Sequence, residues 1–180
     1  MRLFIALELP SAIRDELVSV QERMRSTAPP VRWVVPENMH LTLQFLGETP
    51  PERLAGLKAA LADLAVPDIT LHLGPLGAFP HLFQPAVVWV GLAGDVAALR
   101  GLQATVCAAT AARGFAHKER SFYPHLTLGR VREGLNQLRL EALGATLERS
   151  DPPRALAWAA GRPLLFESTL TPQGPIYTRP

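Results

Sequence analysis

His40-Leu41-Thr42-Leu43 recurs, letter for letter, as His125-Leu126-Thr127-Leu128. The copies lie 85 residues apart in a chain of 180 residues, close to half its length. Each follows a proline, Pro36 or Pro124, and each falls in a stretch that reads as a β-strand. In a strand, residues i and i+2 share a face. His40 and Thr42 therefore project together, while Leu41 and Leu43 point the other way into a core; His125 and Thr127 do the same in the second copy. One tetrapeptide repeated at half the chain length predicts an internal duplication. A pseudo-twofold axis between the halves would face the two His/Thr pairs across a cleft.

Working outward, Leu3 to Leu9 reads as a strand ending at Pro10. Ser11 is a candidate N-cap for a helix with Ile13, Leu17, Val20 and Met24 on one face, stopped by Pro29 and Pro30. Arg32 to Val35 and Met39 to Leu46 read as strands. Thr49, Pro50 and Pro51 open a helix with Leu54, Leu57, Leu61 and Leu64 on one face. The second half repeats the plan. Strands are expected at Ile69 to Leu73, Ala86 to Leu92, Phe115 to Phe122 and His125 to Val131, with Leu73 to Pro85 as a loop that could lip the cleft. Asp95 caps a helix carrying Leu99, Leu102, Val106 and Ala109; Gly134 to about Leu147 is a fourth helix. Pro163 to Leu170 and Ile176 to Thr178 form a closing hairpin around Gly174. Short strands, long helices and no flexible linker predict an α+β fold and a single domain over residues 1–180, made of two similar lobes.

The paired motif has a chemical use. A phosphodiester needs a base at the attacking oxygen and an acid at the leaving oxygen, on opposite sides of phosphorus. Histidine holds either role near neutrality, each typically worth about 10²–10⁴-fold in rate. Threonine hydroxyls can donate to the non-bridging oxygens. Arg130 sits at an odd offset from His125, so it shares the cleft face only if the strand carries a bulge or ends there. A single His-x-Thr would carry no such weight. Packing explains the repeated leucines, but histidine is only intermediate in its tendency to be buried, so retaining it twice at one structural position points to chemistry.

Composition narrows the class. Hydrophobic residues make up 48% and charged residues 19%, which is enough apolar material for a packed core. The single cysteine, Cys107, excludes an internal disulfide framework and a multi-cysteine zinc site, and reads as core. The longest uncharged apolar stretch, Pro85 to Gly94, is about half of what a membrane-crossing helix needs. Only Arg2 precedes the apolar start, too little for a secretory signal, so a cytoplasmic protein is expected. Net charge is only +2, and all but two of the 18 basic residues are arginines. Arginine's planar fork suits phosphate. Between Arg113 and Arg132, Arg113, Lys118, Arg120, Arg130 and Arg132 face Glu119 alone, as befits one phosphate site more than a general nucleic-acid coat.

These residues resemble the 2H phosphoesterase superfamily, and within it the RNA 2′,3′-cyclic phosphodiesterases, or 2′-5′ RNA ligases, of the LigT type. The resemblance spans nearly the whole chain. It includes Arg2 to Leu7, His40 to Glu48, Gly77-Ala78-Phe79-Pro80, Val88-Trp89-Val90-Gly91, Tyr123 to Arg130, Glu167-Ser168, Gly174 and Tyr177. Ala86 departs from the arginine expected there, which leaves a substrate contact from that position without support. The resemblance implies two antiparallel sheets around a central groove with helices outside, and no metal or nucleotide cofactor. It implies hydrolysis of a terminal 2′,3′-cyclic phosphate on RNA to a 2′-phosphate, with reversible 2′-5′ joining of tRNA halves. By motif match the catalytic residues are His40 and His125, and the phosphate-binding residues are Thr42 and Thr127. Leaving a 2′-phosphate requires O3′ to depart; His40 is assigned to protonate it and His125 to activate water, the swap being the alternative.

Arg130 and Tyr123 complete the expected site, Tyr123 by stacking on a base. Phe45 is expected to be core, and Trp33, Trp89 and Trp158 to be packing residues. Arg32 is a second cleft arginine by proximity. His72, His81 and His117 lack a matching partner and are expected at surfaces or turns. A monomer is expected. The competing readings are a phosphodiesterase for another small cyclic phosphate, an idle RNA-end-binding module, and, ranked low because no carboxylates or cysteines stand at ligand spacing, a metal hydrolase.

Overall fold

The computed structural model describes residues 1–25, 31–115, 121–172 and 174–180. In chain order its strands are β1 (Arg2–Glu8), β2 (Val31–Trp33), β3 (His40–Glu48), β4 (Thr70–Phe79), β5 (Val87–Gly94), β6 (His125–Val131), β7 (Ala157–Ala159), β8 (Leu164–Thr171) and β9 (Gly174–Thr178). The helices are α1 (Ser11–Arg25), α2 (Leu54–Ala62), α3 (Val96–Ala111) and α4 (Gln137–Arg149). Two sheets form, in the orders β3-β1-β8-β9 and β2-β6-β5-β4-β7, with every pairing antiparallel. The fold is α+β with the expected two sheets. The motif strands β3 and β6 touch each other across the junction of the sheets.

The path β1-α1-β3, with the short β2 before β3, recurs as β5-α3-β6, and each helix reaches the other half's motif strand. Helix α3 packs on β3, with α2 beside it and against β8, while α4 packs on β4. Helix α1 reaches the second sheet through Gln21, which bonds the carbonyl of Leu128 in β6. The apolar stripes behave as their spacing predicts: Ile13, Leu17, Val20 and Met24 of α1, Leu57 and Leu61 of α2, and Leu99, Leu102 and Val106 of α3 are all buried. Strand β1, paired along both edges, is buried from Leu3 to Leu7, with Phe4 lying against the rings of His40, Phe166 and Tyr177. Glu16 of α1 is buried but bonded by the backbone and guanidinium of Arg154, which pins α1 to the proline-rich segment after α4.

Several local expectations change. Pro10, not Ser11, supplies the carbonyl that accepts the first turn of α1. Asp95 precedes α3 without a capping bond; its carboxylate accepts from the Thr70 amide instead. The segment from Leu73 to Pro85 is not one loop, because β4 runs on to Phe79; Gly74 and Pro75 are absorbed at a register shift between Leu73 and Leu76. Residues 121–124 are not strand, and the rest of the strand expected from Phe115 to Phe122 lies mostly outside the described residues, as do Pro29, Pro30, His117, Lys118 and Arg120. The short strand β7 has too few residues to leave an alternating pattern. Strand β2 comes from the first half but pairs with β6 of the second.

Candidate active site

Each motif strand is bulged at the same place. Along β1 and β3 the partners run Leu7↔Leu41, Ala6↔Thr42, then Ile5↔Gln44 and Phe4↔Phe45, so Leu43 is skipped. Along β5 and β6 they run Val90↔Leu126, Trp89↔Thr127, then Val88↔Gly129 and Val87↔Arg130, so Leu128 is skipped. Directly paired residues share a face. On β5, Val87 shares a face with Trp89, and Trp89 pairs with Thr127. The bulge at Leu128 therefore returns Arg130 to the face of His125 and Thr127. The bulge at Leu43 does the same for Phe45, which occupies the position in the first motif that Arg130 holds in the second. The carbonyls at the bulges are bonded across the halves: Leu128 O accepts from Val34 N–H at 2.8 Å and from Gln21 of α1 at 2.9 Å, and Leu43 O accepts from Gln103 of α3 at 3.4 Å.

The two histidines are held alike. His40 Nδ1 lies 2.8 Å from Asn38 O, and His125 Nδ1 lies 2.7 Å from Tyr123 O. A carbonyl only accepts, so each Nδ1 carries the proton and Nε2 is the unprotonated nitrogen of the neutral ring. His40 Nε2 is 2.9 Å from Thr42 Oγ1, whose hydroxyl donates to it. Asn38 is itself tied to the β8–β9 hairpin by a 2.7 Å bond from its side chain to Pro175 O. Both imidazoles are pushed below their ordinary pKa by burial first. The charge of His125 adds to this at His40, and that of Arg130 at His125; the main-chain bonds act in the opposite sense. The two rings are thus close enough that charging one opposes charging the other.

Aromatic rings floor both positions. Phe4 lies 4.9 Å from the His40 ring, and Tyr177 meets it edge-on at 5.2 Å. Phe79 meets His125 edge-on at 4.9 Å, and Trp89 stands at 6.3 Å. Gly77 makes room for Trp89: a Cβ there would lie 2.2 Å from the indole ring. Trp89 is buried packing, as expected, but packing that backs the site. Phe166, Phe79, Phe4 and Tyr177 are not legible as site residues in the sequence, because they come from four strands with no common spacing. Gln21 and Gln103 do leave a signal: each is a polar residue within the apolar stripe of its helix, four positions after Leu17 and Leu99 respectively, and Glu16 and Thr110 are further polar residues on those buried faces.

The remaining expectations divide. Thr42 and Thr127 share the faces of their histidines, Arg130 is brought to the same face, and Tyr123 is 52% exposed against Phe79 and Trp89. Phe45 is not core: it is 72% exposed, because the bulge lifts it to the groove face. Arg32 pairs directly with Arg130, which puts it on that face too. Arg113 is not part of a basic patch with Arg130; it bonds the Gly56 carbonyl on the helical side. His81 is exposed beside Phe83, and His72 lies on β4 opposite Ala157. Cys107 and Trp158 are buried. Ala86 is exposed and has no side chain to reach a substrate. Among the described residues no group of three or more His, Cys, Asp or Glu is placed to hold a metal ion, and no helix is long and apolar enough to cross a membrane.

The model of the LigT like phosphoesterases matches the chain twice, over residues 7–89 and 90–177. The chain belongs to the LigT like phosphoesterase family. It is an enzyme of the phosphoesterase class, and the double match follows the duplication read from the two tetrapeptides. Its similarity to the RNA 2′,3′-cyclic phosphodiesterase of Methanocaldococcus jannaschii is 33% identity over 98% of this chain and 96% of that protein. The corresponding protein of Archaeoglobus fulgidus is 32% identical over the same shares. Among solved structures, Escherichia coli LigT complexed with 3′-AMP superposes with a TM-score of 0.76 at 29% identity, covering 98% of this chain and 93% of that one. A Thermus thermophilus protein superposes with a TM-score of 0.79 at 29% identity over 99% and 94%.

Proposed function

We propose that this LigT-family chain is an RNA 2′,3′-cyclic phosphodiesterase that uses His40 and His125 as acid and base and leaves a 2′-phosphate. The observation that carries the reading is the matched pair of imidazoles, each with Nδ1 fixed by the carbonyl two residues before it, so that Nε2 is the nitrogen that exchanges a proton with substrate, at His40 in place of its bond from the Thr42 hydroxyl. His125 Nε2 takes a proton from water as its oxygen attacks phosphorus. The P–O3′ bond breaks, and His40 Nε2–H delivers its proton to O3′. The roles follow from what stands beside each ring. Arg130 favours the neutral form of His125, which a base requires. At His40 the cationic influence is His125 itself, which as the base stays neutral before attack, and an anionic phosphodiester bound between the rings raises the affinity of His40 for a proton.

Thr42, Thr127 and Arg130 bind the non-bridging oxygens, where charge is stabilised during attack. The exposed ring of Tyr123 stacks on a base. The two lobes act as one domain, since each supplies one histidine. Reverse 2′-5′ joining of tRNA halves, and action as a cytoplasmic monomer, belong to the same reading. The test is a short RNA ending in a 2′,3′-cyclic phosphate, offered with chelator present. The product's phosphate is expected to resist a 3′-specific phosphatase; a product that this phosphatase cleaves overturns the assignment of O3′ as leaving group.

A further inference from the structure

Strand β2 belongs in sequence to the first half, yet it pairs with the end of β6 and sets Arg32 directly opposite Arg130. Like charges directly opposite on one face of a sheet destabilise it. Nothing local relieves this pair: among the described residues neither guanidinium has a carboxylate partner, and both side chains are exposed. The contrast with the other sheet is direct, because Arg2 on β1 has Glu48 opposite it on β3. Two uncompensated cations on the groove face, just beyond the bulge that follows Thr127, form a place for anionic charge.

The two arginines do not serve the same atom. Arg130 stands on the motif strand itself, on the face of His125 and Thr127, and its charge is felt at His125 and Tyr177. Arg32 stands one strand further out, on the edge strand β2 beside β6. Cross-strand Cα atoms stand only about 4.5–5.5 Å apart, and from there two long side chains can splay to neighbouring phosphates. Resting on the proposed function, we propose that Arg32 binds the internucleotide phosphate on the 5′ side of the terminal ribose while Arg130 holds the cyclic phosphate. The groove thereby selects an RNA end over a cyclic mononucleotide, which has no second phosphate and leaves Arg32 facing water.

The experiment compares cytidine 2′,3′-cyclic phosphate with a trinucleotide RNA ending in the same group, for the wild type, Arg32→Gln and Arg32→Lys. The wild type is expected to prefer the trinucleotide in kcat/KM, and Arg32→Gln to cut that preference by about tenfold, mainly through KM, as loss of one charged contact to phosphate does. Arg32→Lys retains part of it. The slope of log KM against log salt for the trinucleotide becomes shallower by about 0.7 in the Gln variant. An equal loss on both substrates overturns the proposal, since it places Arg32 on the cyclic phosphate; so does no loss on either. Equilibrium binding of the trinucleotide reads the same site without turnover, and Arg32→Gln must weaken it by a similar factor. A protein that hydrolysed neither substrate would therefore count against the proposed activity, while binding would still decide the phosphate site.

Discussion

Gln21, on the first helix, donates its side-chain amide to the main-chain carbonyl of Leu128 in the second motif, 2.9 Å away and 107 residues along the chain. The same nitrogen donates to Val34 O at 2.8 Å. One buried amide thus holds the bulge that turns Arg130 to the groove, together with the strand that carries Arg32. Gln103 makes the equivalent bond to Leu43 O from the other half. Each half of the molecule shapes the other's motif strand.

Replacing Gln21 with Met keeps the volume and removes the donor. Leu128 O keeps its 2.8 Å bond from Val34 N–H, so the variant loses the two bonds from Gln21 without orphaning that carbonyl. At about 0.5–1.5 kcal/mol per bond, urea unfolding should show a loss of about 1–3 kcal/mol. Because the bulge sets Arg130, kcat/KM should fall as well. A variant that lost stability with unaltered kinetics would show that the bond supports the fold alone.

Arg130→Gln should move the pH profile in a defined direction. Burial first, and the Arg130 cation next, hold His125 below its ordinary 6.5. The wild-type rate therefore falls only as pH drops well into the acid range, where the base is protonated. Removing the cation raises the pKa of His125, so the acidic limb of kcat/KM should shift to higher pH. A shift in the alkaline limb instead would exchange the roles of the two histidines.

Phe45→Ala should leave stability within about 0.5 kcal/mol, as expected for an exposed side chain, because Phe45 is 72% exposed. If the ring meets a base in the groove, RNA affinity should fall by about 1–3 kcal/mol, with Phe45→Trp close to wild type. Equal affinity for Phe45→Ala and wild type would remove Phe45 from the binding surface.

Gly77→Ala tests the floor beneath His125. The new methyl would lie 2.2 Å from the indole of Trp89, which is 8% exposed and packed between Phe79 and Tyr123. Overpacking of this kind typically costs about 1–3 kcal/mol, and here displacement of the indole should also slow turnover. Wild-type melting and kinetics together would mean that the ring moves freely.

Much of this is legible in the chain itself. The repeated tetrapeptide announces the duplication, the strand alternation puts His40 with Thr42 and His125 with Thr127 on shared faces, and the odd offset of Arg130 calls for the bulge that Leu128 supplies. Phe45 reads as core for the same reason, since a mirrored bulge leaves no separate mark in the first motif. The aromatic floor is hidden because Phe4, Phe79, Phe166 and Tyr177 meet only through strand pairing between distant segments. The exchange of α1 and α3 between sheets is equally invisible to local periodicity, which reports that a helix has an apolar face but not which sheet receives it.

The central claim is that two imidazoles, one from each half, divide acid and base duty. The direct measurement is single-turnover hydrolysis of a 2′,3′-cyclic phosphate-ended RNA by His40→Ala, His125→Ala and the matching Thr42→Ala and Thr127→Ala variants. Each histidine variant should lose about 10²–10⁴-fold in rate, and each threonine variant much less. A His125→Ala or His40→Ala protein that still cleaved at near wild-type rate would contradict the account.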